Sequence, residues 1–360
     1  MKLIQSLFLV CELALFGTNA MAMQSNPGFV YRKIIAHGNG NILALVEDTT
    51  PQEGGYFPGW LVVKTTDGGK HWLVSNSGNG VDQIYELSEI DNTVYAATYP
   101  NLQYWISNDF GSDWTPDTLS KARDLRIFET GPTGVGFARD EKSHLYSLKN
   151  FSTLRNKYHH DGKRSLDHWG IAIGKNNIFV LSDDKLLQAS KESDRWEEVP
   201  TNITSYPYLA SFHATNKDVL YFSATQNSLD GFASASGGEF MFVKTANAPN
   251  WSLAEFGLPK GVRLRLLEVA GSRAYFRITS NTVSIEHGIA EQVFYSEDGS
   301  SITKLPFDDV DLVAPARDSV LYFTRKSSNV IYQCKRAVTN CKQINGPRDL
   351  EFTRVRHRGI

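Results

Sequence analysis

The sequence predicts an all-β chain folded as a seven-bladed propeller of four-stranded antiparallel blades, and three observations predict it. A short pattern of Ser or Thr, Asp, Gly and Trp recurs along the 360 residues. Each copy follows a short apolar run and has a second apolar run upstream, the layout of paired strands. Counted with two hairpins that lack the pattern, successive hairpins lie about 45 residues apart on average, the length of one four-stranded blade. Tyr and Phe, at 15 and 20 residues, lean the same way, because aromatic side chains favour strands.

The two complete copies are "TTDGGKHW" (Thr65, Asp67, Gly69, Trp72) and "SNDFGSDW" (Ser107, Asp109, Gly111, Trp114), both fitting S/T-x-D-x-G-x-x-W. A third, "SEDGSSIT", keeps Ser296, Asp298 and a glycine but has no Trp. "SKESDRW" and "TANAPNW", ending at Trp196 and Trp251, read as versions one residue shorter. The residue types fit a hairpin turn. Hydroxyl and carboxylate oxygens accept hydrogen bonds from the turn's own N–H groups, Gly supplies a positive φ, and the Trp ring packs back on the hairpin and the neighbouring strand. The Asp is therefore assigned to the turn. A calcium loop needs more carboxylates at alternating positions than these stretches offer.

Strand by strand, "NILALVE", "NTVYAAT", "GVGFAR", "NIFVLS", "DVLYFSA", "RAYFRI" and "SVLYFTR" precede hairpins near residues 65, 107, 147, 190, 245, 296 and 333. A further run precedes each pair, as in "FVYRKII", "QIYELSE", "LRIFET" and "LRLLEV". The repeat is strand A, strand B, strand C, turn, strand D. Seven blades is the first reading and six the second. The third and seventh hairpins lack the aspartate pattern. "DLEFTRV", residues 349–355, reads as a strand helping to close the ring.

At the chain start, Lys2, the apolar run to Gly17 and the "AMA" ending at Ala22 read as a signal peptide over residues 1–22. Residues 23–360 are then one domain, exported to the periplasm or secreted, with no transmembrane segment after signal removal. Cys334 and Cys341 remain and are expected to pair as a disulfide clipping the seventh hairpin, with two free thiols as the other reading. A net charge of −2 gives no reason to expect nucleic acid as a partner. The sequons at Asn150, Asn202 and Asn250 occur at about the frequency chance gives.

The recurring pattern is the Asp-box, or BNR repeat, and on it the chain resembles the sialidase-like superfamily of β-propellers. The resemblance places all Asp-boxes on one face. Binding residues then gather on the opposite face, in the B–C and D–A loops. Long loops there run over Glu47–Trp60, Leu154–Trp169 and Thr225–Glu239, with a shorter one at Ser280–Glu291. The candidate binding residues are Tyr56 and Trp60 in the first, and Lys157, His159, His160, Lys163, Arg164 and His168 in the second. No metal and no cofactor is expected, since neighbouring histidines aim poorly at one ion.

A sialidase uses an arginine triad, a Tyr–Glu pair and an acid. Here "VYRKI" matches only the arginine of the family's F/Y-R-I-P motif, giving Arg32 and, near the rim, Asp48 as catalytic candidates under that alternative. "FRIT", with Arg277, looks closer to the motif but lies on a B strand. The leading expectation is a non-catalytic, monomeric binding propeller of the adaptor, assembly-factor or toxin-immunity type. It binds a protein partner, with carbohydrate as a second ligand class. Ycf48-type photosystem II assembly factors are a distant, family-level resemblance. The alternative is a sialidase or another glycoside hydrolase.

Overall fold

A computed structural model of the chain describes residues 28–49, 59–76, 83–90, 92–99, 104–116, 126–130, 136–139, 145–149, 153–158, 170–181, 185–190, 195–202, 209–225, 239–316, 320–325, 330–335, 341–348 and 350. The expected signal segment, Tyr56, His159, His160, Lys163, Arg164, His168 and, Leu350 apart, the proposed closing strand at 349–355 lie outside the described residues.

The described residues form seven four-stranded antiparallel sheets, each from consecutive strands. Blade 1 holds β1 (Phe29–Ala36), β2 (Ile42–Asp48), β3 (Trp60–Thr65) and β4 (Leu73–Asn76). Blade 2 holds β5 (Gln83–Ile90), β6 (Thr93–Tyr99), β7 (Tyr104–Ser107) and β8 (Thr115–Pro116). Blade 3 holds β9 (Arg126–Thr130), β10 (Gly136–Arg139), β11 (Leu145–Lys149) and β12 (Thr153–Tyr158). Blade 4 holds β13 (Gly170–Ile173), β14 (Asn177–Leu181), β15 (Leu186–Ser190) and β16 (Glu197–Val199). Blade 5 holds β17 (Leu209–Ala214), β18 (Leu220–Thr225), β19 (Glu239–Lys244) and β20 (Ser252–Leu253). Blade 6 holds β21 (Leu264–Ala270), β22 (Arg273–Ile278), the short helix α1 (Thr282–Glu286), β23 (Gln292–Ser296) and β24 (Thr303–Asp308). Blade 7 holds β25 (Val310–Pro315), β26 (Leu321–Arg325), β27 (Ile331–Cys334) and β28 (Cys341–Ile344).

The inner strands β1, β5, β9, β13, β17, β21 and β25 touch in succession, and β25 touches β1, so the ring is closed. The all-β propeller reading holds, and the seven sheets match its first choice of blade number.

The apolar core lies in slabs between blades, not at one centre. Both faces of a B or C strand are covered by neighbours, which is why "ILALVED" and "RAYFRI" are almost continuously apolar rather than alternating. Phe222 stacks on Phe242 at 4.7 Å and receives the Trp251 ring edge-on at 4.6 Å, facing Phe179 and Leu181 of blade 4. Fully burying one such ring contributes about 1.5–3 kcal/mol.

Six of the seven inner strands carry a β-bulge against their B strand. The extra residues are Arg32, Tyr85, Phe128, Ala210, Leu267 and Asp311. A bulge bends the strand and re-aims side chains where the ring tightens around its axis. Next to two of these bulges, Lys33 of blade 1 reaches Glu268 of blade 6 at 3.0 Å, an ion pair that skips over blade 7.

Candidate functional site

The two faces of the ring are built differently. A–B and C–D turns share one face: in blade 1, Gly68 N–H of the C–D turn donates to Gly40 O of the A–B turn at 3.1 Å. On that face the aspartate turns close on themselves. Thr65 Oγ1 donates to Asp67 Oδ1 and accepts from Gly69 N–H, while Asp67 Oδ1 accepts from Lys70 and His71 N–H, each at 3.0 Å. The second copy repeats this with Ser107 and Asp109, which accept from Gly111, Ser112 and Asp113. The third repeats it with Ser296 and Asp298, which accept from Gly299, Ser300 and Ser301.

These bonds favour the ionised carboxylate. The His71 N–H foremost holds Asp67 well below the usual carboxylate range. The Asp113 N–H does the same for Asp109, and the Ser300 N–H for Asp298.

The turns also grip the preceding blade. Gly111 lies against Leu43 and Ser75 of blade 1, so closely that a Cβ there would meet Leu43 Cδ1 at 2.7 Å. Gly299 fits in the same way against Val219 and Val243 of blade 5. The Trp114 indole donates to Ser75 Oγ at 2.9 Å, and Ser75 Oγ donates onward to Gly111 O. Blade 5 uses another device at the equivalent place. Asn202, just past β16 of blade 4, accepts from Trp251 N–H at 2.8 Å and donates to Trp251 O at 3.0 Å. Asn202 and Trp251 lie 49 residues apart, and no local pattern in the sequence marks them as partners.

The opposite face carries the B–C and D–A loops. Among the described residues it includes the loop around α1. Asn281 caps the helix by accepting from Ser284 N–H at 2.8 Å, and Ser284 Oγ in turn accepts from Asn281 N–H. Asn281 Nδ2 also donates to Gly261 O, and Thr279 N–H to Arg263 O, tying this loop to the D–A link before it. Ile285 is left exposed at the tip.

The sequence's catalytic candidates, Arg32 and Asp48, lie on the paired strands β1 and β2. Arg32, the bulged residue of β1, is half-exposed and pairs with Glu47 on β2. Asp48 is buried at the end of β2, where its N–H donates to Gly59 O at 2.8 Å. Arg277 is on a B strand, as the "FRIT" reading placed it, but it is only 4% exposed. It lies 3.3 Å from Glu291 and 3.8 Å from Asp311, and it donates to Val310 O. Burial lowers its pKa, with Arg265 adding to the push and Glu291 and Asp311 opposing it. Its contacts join blades 6 and 7. Arg263 stacks over the Phe240 ring at 4.7 Å.

Of the binding candidates, Trp60 opens β3 opposite Glu47 and packs partly buried against the core between blades 1 and 2. The loop expected from Leu154 starts later, because Thr153–Tyr158 form the outer strand β12; Lys157 lies in that strand, where only its backbone is described. Among the described residues no group of His, Cys, Asp or Glu gathers to hold a metal ion, and no helix is long and apolar enough to cross a membrane.

No known protein family matches the sequence, and no curated protein does. Solved structures match the fold. PorZ, a surface component of the type-IX secretion system of Porphyromonas gingivalis, aligns at 11% identity and TM-score 0.54, over 89% of this chain and 39% of its own. A streptogramin B lyase aligns at 12% identity and TM-score 0.52, over 86% and 94%. Ycf48 from Cyanidioschyzon merolae aligns at 12% identity and TM-score 0.50, over 83% and 93%. At these identities the likeness is one of propeller fold. Enzymes and other proteins share it, so function has to be argued from the site.

Proposed function

We propose that the chain is an exported, non-catalytic propeller that binds a protein partner through the loop face opposite its aspartate turns. The observation supporting this reading is that the two arginines in stretches like the sialidase motif, Arg32 and Arg277, already have acid partners within the chain. Arg277 is buried among Glu291, Asp311 and Val310 O, and Arg32 pairs with Glu47. A substrate carboxylate would have to compete with these acids for each guanidinium, and at Arg277, itself only 4% exposed, it would first have to reach a buried group.

The aspartate turns are Asp-boxes on this reading, and their carboxylates are occupied by turn N–H groups. Loops on a rigid ring are where binding residues collect. The contact residues are Tyr56, Trp60, Lys157, His159, His160, Lys163, Arg164 and His168, and the α1 loop is a further contact element. The Cys334–Cys341 disulfide fits an oxidising compartment. The partner is of the adaptor, assembly or toxin-immunity kind.

The test is capture of partners from the source cell's own envelope with residues 23–360 as bait, run beside turnover of a fluorogenic sialoside. A protein captured stoichiometrically, with no turnover, is expected. Turnover that disappears in Arg32→Ala would overturn the reading in favour of a sialidase.

A further inference from the structure

Among the described residues the ring closes without a shared blade: blade 1 is built from strands within residues 29–76 and blade 7 from strands within residues 310–344. The seam between them has three layers. Innermost, β25 lies against β1. Next, Phe29, Ile34 and Val63 of blade 1 pack with Ala314, Tyr322 and Ile344 of blade 7. Outermost, the aspartate turn of blade 1 grips the end of β28. A Cβ on Gly69 would lie 2.1 Å from Ile344 Cγ2, and the Trp72 indole donates to Asn345 O at 2.7 Å.

That outer layer requires β28 to stay in place. β28 is a four-residue edge strand whose first three residues are exposed. In blades 1, 2 and 6 an aspartate turn fixes the outer strand to its neighbour. Blade 7 lacks those residues. There the fully buried Cys334 is bonded to Cys341, its direct cross-strand partner, which sits at the exposed start of β28.

We propose that the Cys334–Cys341 disulfide is a redox-sensitive latch on the ring's closing seam, opened by an external dithiol. A thiolate of the reductant attacks Sγ of Cys341, the end open to solvent, and Cys334 leaves as a thiolate. The reductant's second thiol then attacks the mixed disulfide and releases Cys341. One protein disulfide is reduced by two electrons, the dithiol is oxidised to its own disulfide, and its two protons end on the two cysteines. β28 is then held only by its short pairing with β27 and by the seam itself. Its fraying withdraws Ile344 and Asn345 from Gly69 and Trp72, and the ring loosens at this seam before any other.

Hydrogen exchange followed by mass spectrometry tests this on the whole folded protein, before and after complete reduction by dithiothreitol with blocked thiols. Amides of residues 66–76 and 341–345 are expected to exchange at least ten-fold faster after reduction. The matching turns of blades 2 and 6, residues 108–116 and 297–303, should be unchanged. The Cys334→Ala/Cys341→Ala variant should show the same local pattern without reductant. Unchanged exchange at 66–76 in fully reduced protein, or equal acceleration in all three turns, would overturn the latch.

Discussion

The Trp72 indole N–H donates to the main-chain oxygen of Asn345 across a separation of 273 residues, joining the first blade to the segment that ends the last. The Trp114 indole makes the matching bond to Ser75, from blade 2 to blade 1. In both, the tryptophan that follows the aspartate turn secures the preceding blade as well as its own hairpin. Trp72→Phe and Trp114→Phe keep the ring and remove the donor. Each should lose about 0.5–1.5 kcal/mol in urea denaturation, the usual net value of one hydrogen bond. No measurable loss in either would mean that the bonds do not support the seams.

Adjacent glycines in the first turn allow a controlled comparison. Gly68 and Gly69 both have positive φ, at 74° and 84°, but a Cβ on Gly68 meets nothing within 4 Å, whereas one on Gly69 runs into Ile344. Gly68→Ala should cost only the left-handed strain, about 1–2 kcal/mol. Gly69→Ala adds an overpacked contact, roughly 1–3 kcal/mol more. Equal melting temperatures for the two variants would contradict the close approach.

The three turn aspartates set an acid limit on stability. Turn N–H groups hold their folded-state pKa values below the ordinary carboxylate value of about 3.9. A depressed folded pKa gives stability that is full above the unfolded value and is lost as pH falls through the folded one. Wild-type stability from denaturant titrations should therefore be level above about pH 5 and fall steadily below about pH 4. Asp109→Asn should begin less stable and show a shallower fall. A fall as steep as wild type would remove Asp109 from the account.

Asn202 uses both ends of its amide on the Trp251 backbone. Its sequon is therefore closed in the folded protein, since a glycan on Nδ2 removes the donor to Trp251 O. Produced in a host that glycosylates exported proteins, folded material should carry an unmodified Asn202 by peptide mass mapping. Asn202→Ala should lose about 1–3 kcal/mol by leaving those backbone groups unpartnered. A glycan found on Asn202 in folded protein would contradict the geometry.

Much of this fold was legible in the sequence because its signals are local. A hydroxyl, an aspartate and a glycine within five residues specify the turn, and paired apolar runs specify the hairpin, so blade order could be read directly; the polar outer strand β12, read as loop from Leu154, could not. Ser75, Asn202 and Asn345 were not legible as seam partners, because nothing near them marks which distant tryptophan they meet. The bulges on the inner strands were equally hidden, since a bulge is a mismatch between two strands and neither shows it alone. Arg277 looked like a motif arginine in "FRIT". Its burial between Glu291 and Asp311 follows from blades 6 and 7 meeting, which no short stretch records.

On the function proposed above the two faces differ in role: aspartate turns hold blades together on one, and loops meet a partner on the other. The most direct measurement is the dissociation constant of the captured partner for two sets of folded variants. One set is Lys157→Ala/Lys163→Ala/Arg164→Ala and Tyr56→Ala on the loop face. The other is Asp67→Ala and Asp109→Ala in the turns, measured well below their lowered melting temperatures. The account predicts roughly ten-fold or greater weakening for the loop set, the usual effect of losing an interface anchor, and wild-type affinity for the turn set. Wild-type affinity in the loop set, with weakened binding in folded turn variants, would contradict it.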